Sequence, residues 1–287
     1  MPGPALPYNR LFIGFRLNGA PVMTLPLLHF THGNSYPAGT YRQLLAALAQ
    51  DFDVQSIDML GHDPAFPVTD NWRRLVDELI TRLETYGRPA ILVGHSLGGM
   101  VSMMAARQRP DLARCVVMVD SPVVAGWRAC VWRQIKRRGL GERYSPARLS
   151  SKRRHVFPDR QAAHAHYASK EIFARWAPGV LDDYLDHGLQ PHPDGVQLRF
   201  SRDVETAIYR TLPHTMGHAL DGKYPVPIGF IGGRASEELR RAGVDATRRL
   251  VGENLVMVDG GHLFPLEAPQ DTARYIRDMI ARLLEKA

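Results

Sequence analysis

The hexapeptide Gly94-His95-Ser96-Leu97-Gly98-Gly99 constrains this chain more than any other stretch. An apolar run, Pro89 to Val93, leads into it, and a helix-like run from Gly99 to Gln108 leads out. The pattern is G-x-S-x-G between a strand and a helix. So sharp a turn needs small residues two places either side of the serine, so that strand and helix can approach closely. It presents the hydroxyl of Ser96 above the sheet edge and sets the N–H of Leu97 at the new helix's start, where it can help hold an oxyanion.

Two distant segments extend this reading. Leu25 to Thr31 reads as a buried strand that runs directly into His32-Gly33-Asn34, and Asn254 to Val258 reads as a late strand followed by Asp259-Gly260-Gly261-His262. A serine hydroxyl is a poor nucleophile until a histidine takes its proton, and that histidine can lie far away in sequence. His262 is the candidate base.

The HG turn at His32-Gly33, the GHSLGG elbow and the GGHLFPLEAP stretch from Gly260 to Pro269 together resemble the α/β-hydrolase fold superfamily over nearly the whole chain. The order Ser96, an acid, then His262 fits the order of triad residues in that superfamily. The resemblance implies a mostly parallel central sheet with helices on both faces, nucleophilic hydrolysis, and no cofactor or metal. It implies that Asn34 donates its backbone N–H to the oxyanion alongside Leu97; loss of such a donor costs about 2.7–4 kcal/mol in the transition state. His32 is expected to brace the oxyanion loop, and His95 to orient the turn rather than react.

The resemblance leaves the substrate open. A small or medium carboxylic ester is the first expectation. The alternatives are carbon–carbon bond hydrolysis of a diketone-like acid and a non-catalytic ligand-binding member of the fold. Dehalogenase and epoxide hydrolase relatives carry aspartate at the elbow, where this chain has Ser96.

The acid has two candidate places. Members of the fold often carry it after the strand read here as Pro225 to Ile231, yet Ser236 stands where aspartate is frequent. Glu237 and Glu238 follow as alternative acids, at an apparent helix start where acids favour the dipole anyway. The fold's second placement, at the end of the preceding strand, holds Asp120, followed by Ser121-Pro122. Asp120 is the expected acid, and a helix N-cap is its competing explanation.

Strands and helices alternate along the chain, which predicts an α/β fold with a mostly parallel sheet. Further strands are expected at Leu11 to Leu17, Asp53 to Asp58 and Arg114 to Val119, and helices at Tyr41 to Gln50, Asp70 to Tyr86 and Asp271 to Leu284. Residues 1–120 and 223–287 are the expected core. Residues 121–222 are an expected helical cap with no buried strand, interrupted by breakers such as Gln190 to Gly195. Its aromatic residues Trp127, Trp132, Phe173 and Trp176 either line the pocket or hold the cap together.

The net charge of +7 is concentrated. From Arg128 to Arg160 the chain has eleven Lys or Arg and only two acids, Glu142 and Asp159. An anionic substrate or an anionic membrane surface would suit this stretch, but a solvated helical surface is the default reading. No nucleic-acid motif accompanies it, so no nucleic-acid partner is expected; the expected partner is a small-molecule substrate. No feature specifies an oligomeric state. His164 and His166, spaced i and i+2, share no helix face and predict no metal site. Asp203 and Glu205 read as a helix start. Cys115 lies in an apolar run and predicts a buried free thiol. Met1 to Leu17 lacks a basic start with a sustained apolar run, and no segment would span a membrane, so a cytoplasmic location is expected.

Overall fold

The computed structural model describes residues 25–285; the strand expected at Leu11 to Leu17 lies outside them. The chain proceeds through β1 (Leu27–Thr31), α1 (Arg42–Leu48), β2 (Asp53–Ser56), α2 (Arg73–Glu84), β3 (Ala90–His95), α3 (Leu97–Gln108) and β4 (Ala113–Val119). A long excursion follows: α4 (Gly126–Arg137), α5 (Ala147–Ser150), β5 (Val156–Phe157), α6 (Arg160–Ala168), α7 (Glu171–Ala174), α8 (Val180–Gly188), β6 (Leu189–His192), β7 (Gly195–Leu198) and α9 (Arg202–Arg210). The chain returns through β8 (Ile228–Gly233), α10 (Glu237–Ala242), α11 (Asp245–Val251), β9 (Leu255–Val258), α12 (Phe264–Glu267) and α13 (Pro269–Glu285).

The central sheet has the order β2-β1-β3-β4-β8-β9, and every pairing in it is parallel. Its inner strands are mostly apolar because helices cover both faces. Successive side chains alternate between two cores. Leu28, Phe30, Ile91, Val93, Cys115 and Val117 pack under α1 and α13. Leu27, Ala90, Leu92, Val116 and Met118 pack under α2 and α3. Cys115 is a buried free thiol, and burial pushes it up to about 12. Among the described residues, no helix is long and apolar enough to cross a membrane.

The excursion between β4 and β8 departs from the expectation of a purely helical insertion. It holds a small antiparallel sheet, β5-β7-β6. The breaker run is a hairpin: His192 pairs with Gly195 across Pro193-Asp194, and Gly195 takes φ 123°. These strands have two to four residues and only Phe157 and Leu198 buried, too few for an alternating pattern to show in sequence. An aromatic cluster of Tyr36, Tyr167, Phe173, Trp176 and Tyr184 joins the insertion to the core, with ring centroids 4.6–6.0 Å apart. Phe173 and Trp176 therefore hold the insertion down. Trp132 anchors α4 by donating to the carbonyl of Leu212 at 2.7 Å, whereas Trp127 is 67% exposed.

Candidate active site

The candidate side chains come from loops at the carboxyl ends of parallel strands, where ligands of open α/β sheets bind. Asn34 follows β1, Ser96 follows β3, Asp120 follows β4 and His262 follows β9.

Ser96 sits at φ 54°, ψ −117°, a conformation costly for a residue with a side chain. The surroundings over-determine it. Its N–H donates to the carbonyl of Val119 at 2.9 Å. A Cβ on Gly98 would overlap the Thr31 carbonyl, and one on Gly94 would overlap the Gly98 backbone. Glycine at both positions lets the elbow lie against the end of β1, next to the Asn34 loop.

His262 bridges two partners. Its Nε2 lies 3.0 Å from Ser96 Oγ and its Nδ1 lies 2.6 Å from Asp120 Oδ2. A carboxylate only accepts, so Nδ1–H donates to Asp120, and Nε2 offers its lone pair to the serine hydroxyl. Burial opposes protonation of His262; the hydrogen bond to Asp120, the Asp120 charge and the Glu238 charge outweigh it and hold the imidazole above the ordinary histidine range.

Asp120 is fully buried at φ 45°. Its Oδ1 accepts the N–H of Gly233 at 2.8 Å and its Oδ2 accepts the hydroxyl of Ser236 at 2.6 Å. It caps no helix, because α4 starts only at Gly126. Ser236 in turn accepts the N–H of Leu239 at 3.1 Å and caps α10. Of the alternative acids, Glu237 turns outward to Arg240 and Arg241. The half-exposed Glu238 stops 3.9 Å from His262 Nδ1.

His95 ties the loops together. It is fully buried, and burial first, then the neighbouring His262, pushes it down to about 3, so it is neutral. Its Nε2–H donates to the carbonyl of His262 at 2.9 Å, which leaves Nδ1 to accept from the Tyr41 hydroxyl at 2.7 Å. That hydroxyl accepts the N–H of Gly33 at 3.2 Å. One imidazole thus links the His262 loop to the Asn34 loop. His32, also neutral, donates Nδ1–H to the carbonyl of Gly33 at 2.8 Å and accepts the N–H of Leu60 at 2.8 Å.

Among the described residues, the backbone N–H groups of Asn34 and Leu97 find no acceptor. Their loop is held from above by Glu205, read in the sequence only as part of a helix start. The Glu205 carbonyl accepts from Asn34 Nδ2 at 3.2 Å, and its Oε1 accepts the Ser35 hydroxyl at 2.6 Å. Ser35 adopts φ 81°. The other carboxylate oxygen of Glu205 pairs with the largely buried Arg153 at 2.5 Å. An acid in the first turn of a helix is ordinary, so only its burial, beyond local pattern, distinguishes Glu205 from the exposed Asp203. His164 and His166 lie on α6, where the ring of His166 packs on Phe157 at 5.3 Å. Among the described residues, no three His, Cys, Asp or Glu side chains group as metal ligands.

A model of the alpha/beta hydrolase family matches residues 30–275, so the chain belongs to that family. A 2-(acetamidomethylene)succinate hydrolase of Mesorhizobium japonicum is 33% identical over 102 residues, covering 33% of this chain and 35% of the relative. The chain thus spans about a third of the length of that curated relative. A pimeloyl-[acyl-carrier protein] methyl ester esterase of Xanthomonas axonopodis is 23% identical over 83% of this chain and 88% of its own length. The crystal structure of an E-2-(acetamidomethylene)succinate hydrolase superposes with a TM-score of 0.72 at 25% identity, covering 90% of this chain and 92% of the other.

Proposed function

We propose that the chain is a serine hydrolase that cleaves a small or medium carboxylic ester through an acyl-enzyme. The observation that carries this reading is the continuous Ser96–His262–Asp120 hydrogen-bond chain. His262 takes the Ser96 proton as Oγ attacks the acyl carbonyl, and Asp120 fixes the imidazole tautomer and stabilises the imidazolium. The Asn34 and Leu97 N–H groups receive the oxyanion. His262 returns the proton to the departing alcohol, then activates the water that releases the acyl group. In this reading residues 121–222 form a cap that excludes water from the reacting centre, and residues 1–120 and 223–287 form the core.

Two named relatives bear on the substrate class. One is a methyl ester esterase, which supports the ester. Another is a hydrolase of an acetamidomethylene succinate, which supports an acidic substrate and keeps carbon–carbon bond hydrolysis of a diketone-like acid as the second reading. A fluorophosphonate probe tests the nucleophile. One label per chain, located on Ser96 and absent from Ser96→Ala, is expected; label that persists in the variant overturns the assignment. A panel of neutral esters, acidic esters and diketone-like acids then separates the two readings.

A further inference from the structure

Away from Ser96, an open cleft of about 590 Å³ runs between α4, the start of α2 and the end of α9. Five cationic side chains line it: Arg73, Arg133, Lys136, Arg137 and Arg210. Among the described residues Asp70 is the only carboxylate in its walls, and that is taken by Lys136. Arg210 faces Glu142 at 3.9 Å. Arg73, Arg133 and Arg137 form no ion pair among the described residues, so three arginines without a counter-charge line one concavity. Such an arrangement is unfavourable by itself and is relieved by an anion.

Two further features mark the same cleft. Asn71 and Trp72 are consecutive left-handed residues, at φ 56° and φ 57°. For tryptophan this is a true outlier, held here by full burial and by donation of Nε1–H to the Ile208 carbonyl at 3.0 Å. The turn carries Asn71 Oδ1 to the N–H of His214 at 2.8 Å, joining the two walls. In that wall the Nδ1 of His214 is buried with no partner among the described residues. Other buried side-chain atoms among the described residues also lack a partner, Asn34 Oδ1 and Asp183 Oδ2 among them, so the arginine cluster, not this atom, distinguishes the cleft.

We propose that this cleft is an anion-binding site, separate from Ser96, for a ligand bearing a doubly charged phosphate or a diphosphate. Guanidinium forks match phosphate oxygens in pairs and stay charged at all physiological pH, which a single ammonium does not reproduce. The phosphate belongs either to a soluble metabolite or to a lipid headgroup, and the two are separable by experiment.

Sodium pyrophosphate is titrated calorimetrically, at low ionic strength, into wild type, the Arg133→Gln/Arg137→Gln pair, and an Arg143→Gln/Arg148→Gln pair that leaves the cleft walls untouched. Wild type and Ser96→Ala are expected to bind one equivalent alike, and pyrophosphate to raise the wild-type Tm. The cleft pair should bind at least about tenfold more weakly, as loss of charge-assisted contacts implies. The control pair should bind as wild type does. In parallel, the proteins are sedimented with phosphatidylcholine vesicles containing phosphatidic acid. Vesicle retention that pyrophosphate abolishes, and that the cleft pair lacks, assigns a headgroup. Pyrophosphate binding without retention assigns a soluble phosphate. No binding of either probe by wild type, or equal weakening in the two variant pairs, overturns the site.

Discussion

Ser236 donates its hydroxyl hydrogen to Oδ2 of Asp120 at 2.6 Å, on the same oxygen that faces His262 Nδ1 at 2.6 Å. The serine occupies the place after β8 where the family frequently carries its acid. Here it supports a carboxylate supplied by the neighbouring strand, β4. Because β4 and β8 are adjacent and parallel, the two strand ends reach the same point.

This arrangement predicts graded losses. Asp120→Asn should lower kcat by about four orders of magnitude, the effect seen when asparagine imposes the wrong histidine tautomer in a serine protease. Ser236→Ala removes one charge-assisted bond, worth about 1.5–3 kcal/mol, and should cost between about tenfold and about a hundredfold. Glu237→Gln should cost little. Steady-state kinetics on folded variants checks this; an active Asp120→Asn beside a dead Glu238→Gln would move the acid to α10.

If His262 is the base, the acid limb of the kcat/KM profile should report its protonation. In the proposed mechanism the neutral imidazole is the active form, so activity should be lost as pH falls through its pKa. Asp120 and Glu238 hold that value above 6.5, so the midpoint should lie above 6.5. Glu238→Gln removes a charge that favours the imidazolium and should move the midpoint down, with turnover above the midpoint nearly unchanged. A profile that does not move would take Glu238 out of the electrostatics of the site.

Glu205 should influence turnover from the insertion. Ser35→Ala breaks its bond to the Asn34 loop and should lower kcat about tenfold with KM little changed, because the proposed oxyanion donors would act in the transition state. Glu205→Gln should act mainly on stability. It leaves the largely buried Arg153 without its counter-charge, which thermal melting would register as a lower Tm. A large rise in KM for Ser35→Ala would instead make this contact part of substrate binding.

Gly98→Ala tests the elbow. The added methyl meets the Thr31 carbonyl, a backbone atom that cannot swing aside. Expression of a stable protein with full fluorophosphonate labelling would show that the elbow has room that the packing does not suggest. The expected result is poor folding, or a folded chain that labels slowly.

Much of the molecule is legible in local sequence. The G-x-S-x-G turn encodes its own geometry, because only glycine permits those contacts at Gly94 and Gly98. The apolar runs of β1, β3 and β4 declare a doubly covered parallel sheet. The five-residue and shorter elements of the insertion are a different matter. Strands β5, β6 and β7 are too short to show a period, and only their mutual pairing makes them strands.

The candidate site divides in the same way. Ser96 and His262 announce themselves through the glycines around them. Asp120 could be ranked ahead of Glu237 and Glu238 only by its place at a strand end, because which carboxylate meets a histidine 142 residues later depends on the strand order β4-β8-β9. The support given by Ser236, the link His95 makes between two loops, and the grip of Glu205 on Ser35 belong to the tertiary structure alone. So does the cleft at Arg73, Arg133 and Arg137. Sequence carries a residue's chemistry and its near neighbours. Burial, tautomer and uncompensated charge are set by groups brought from elsewhere in the chain, and those exist only once it has folded.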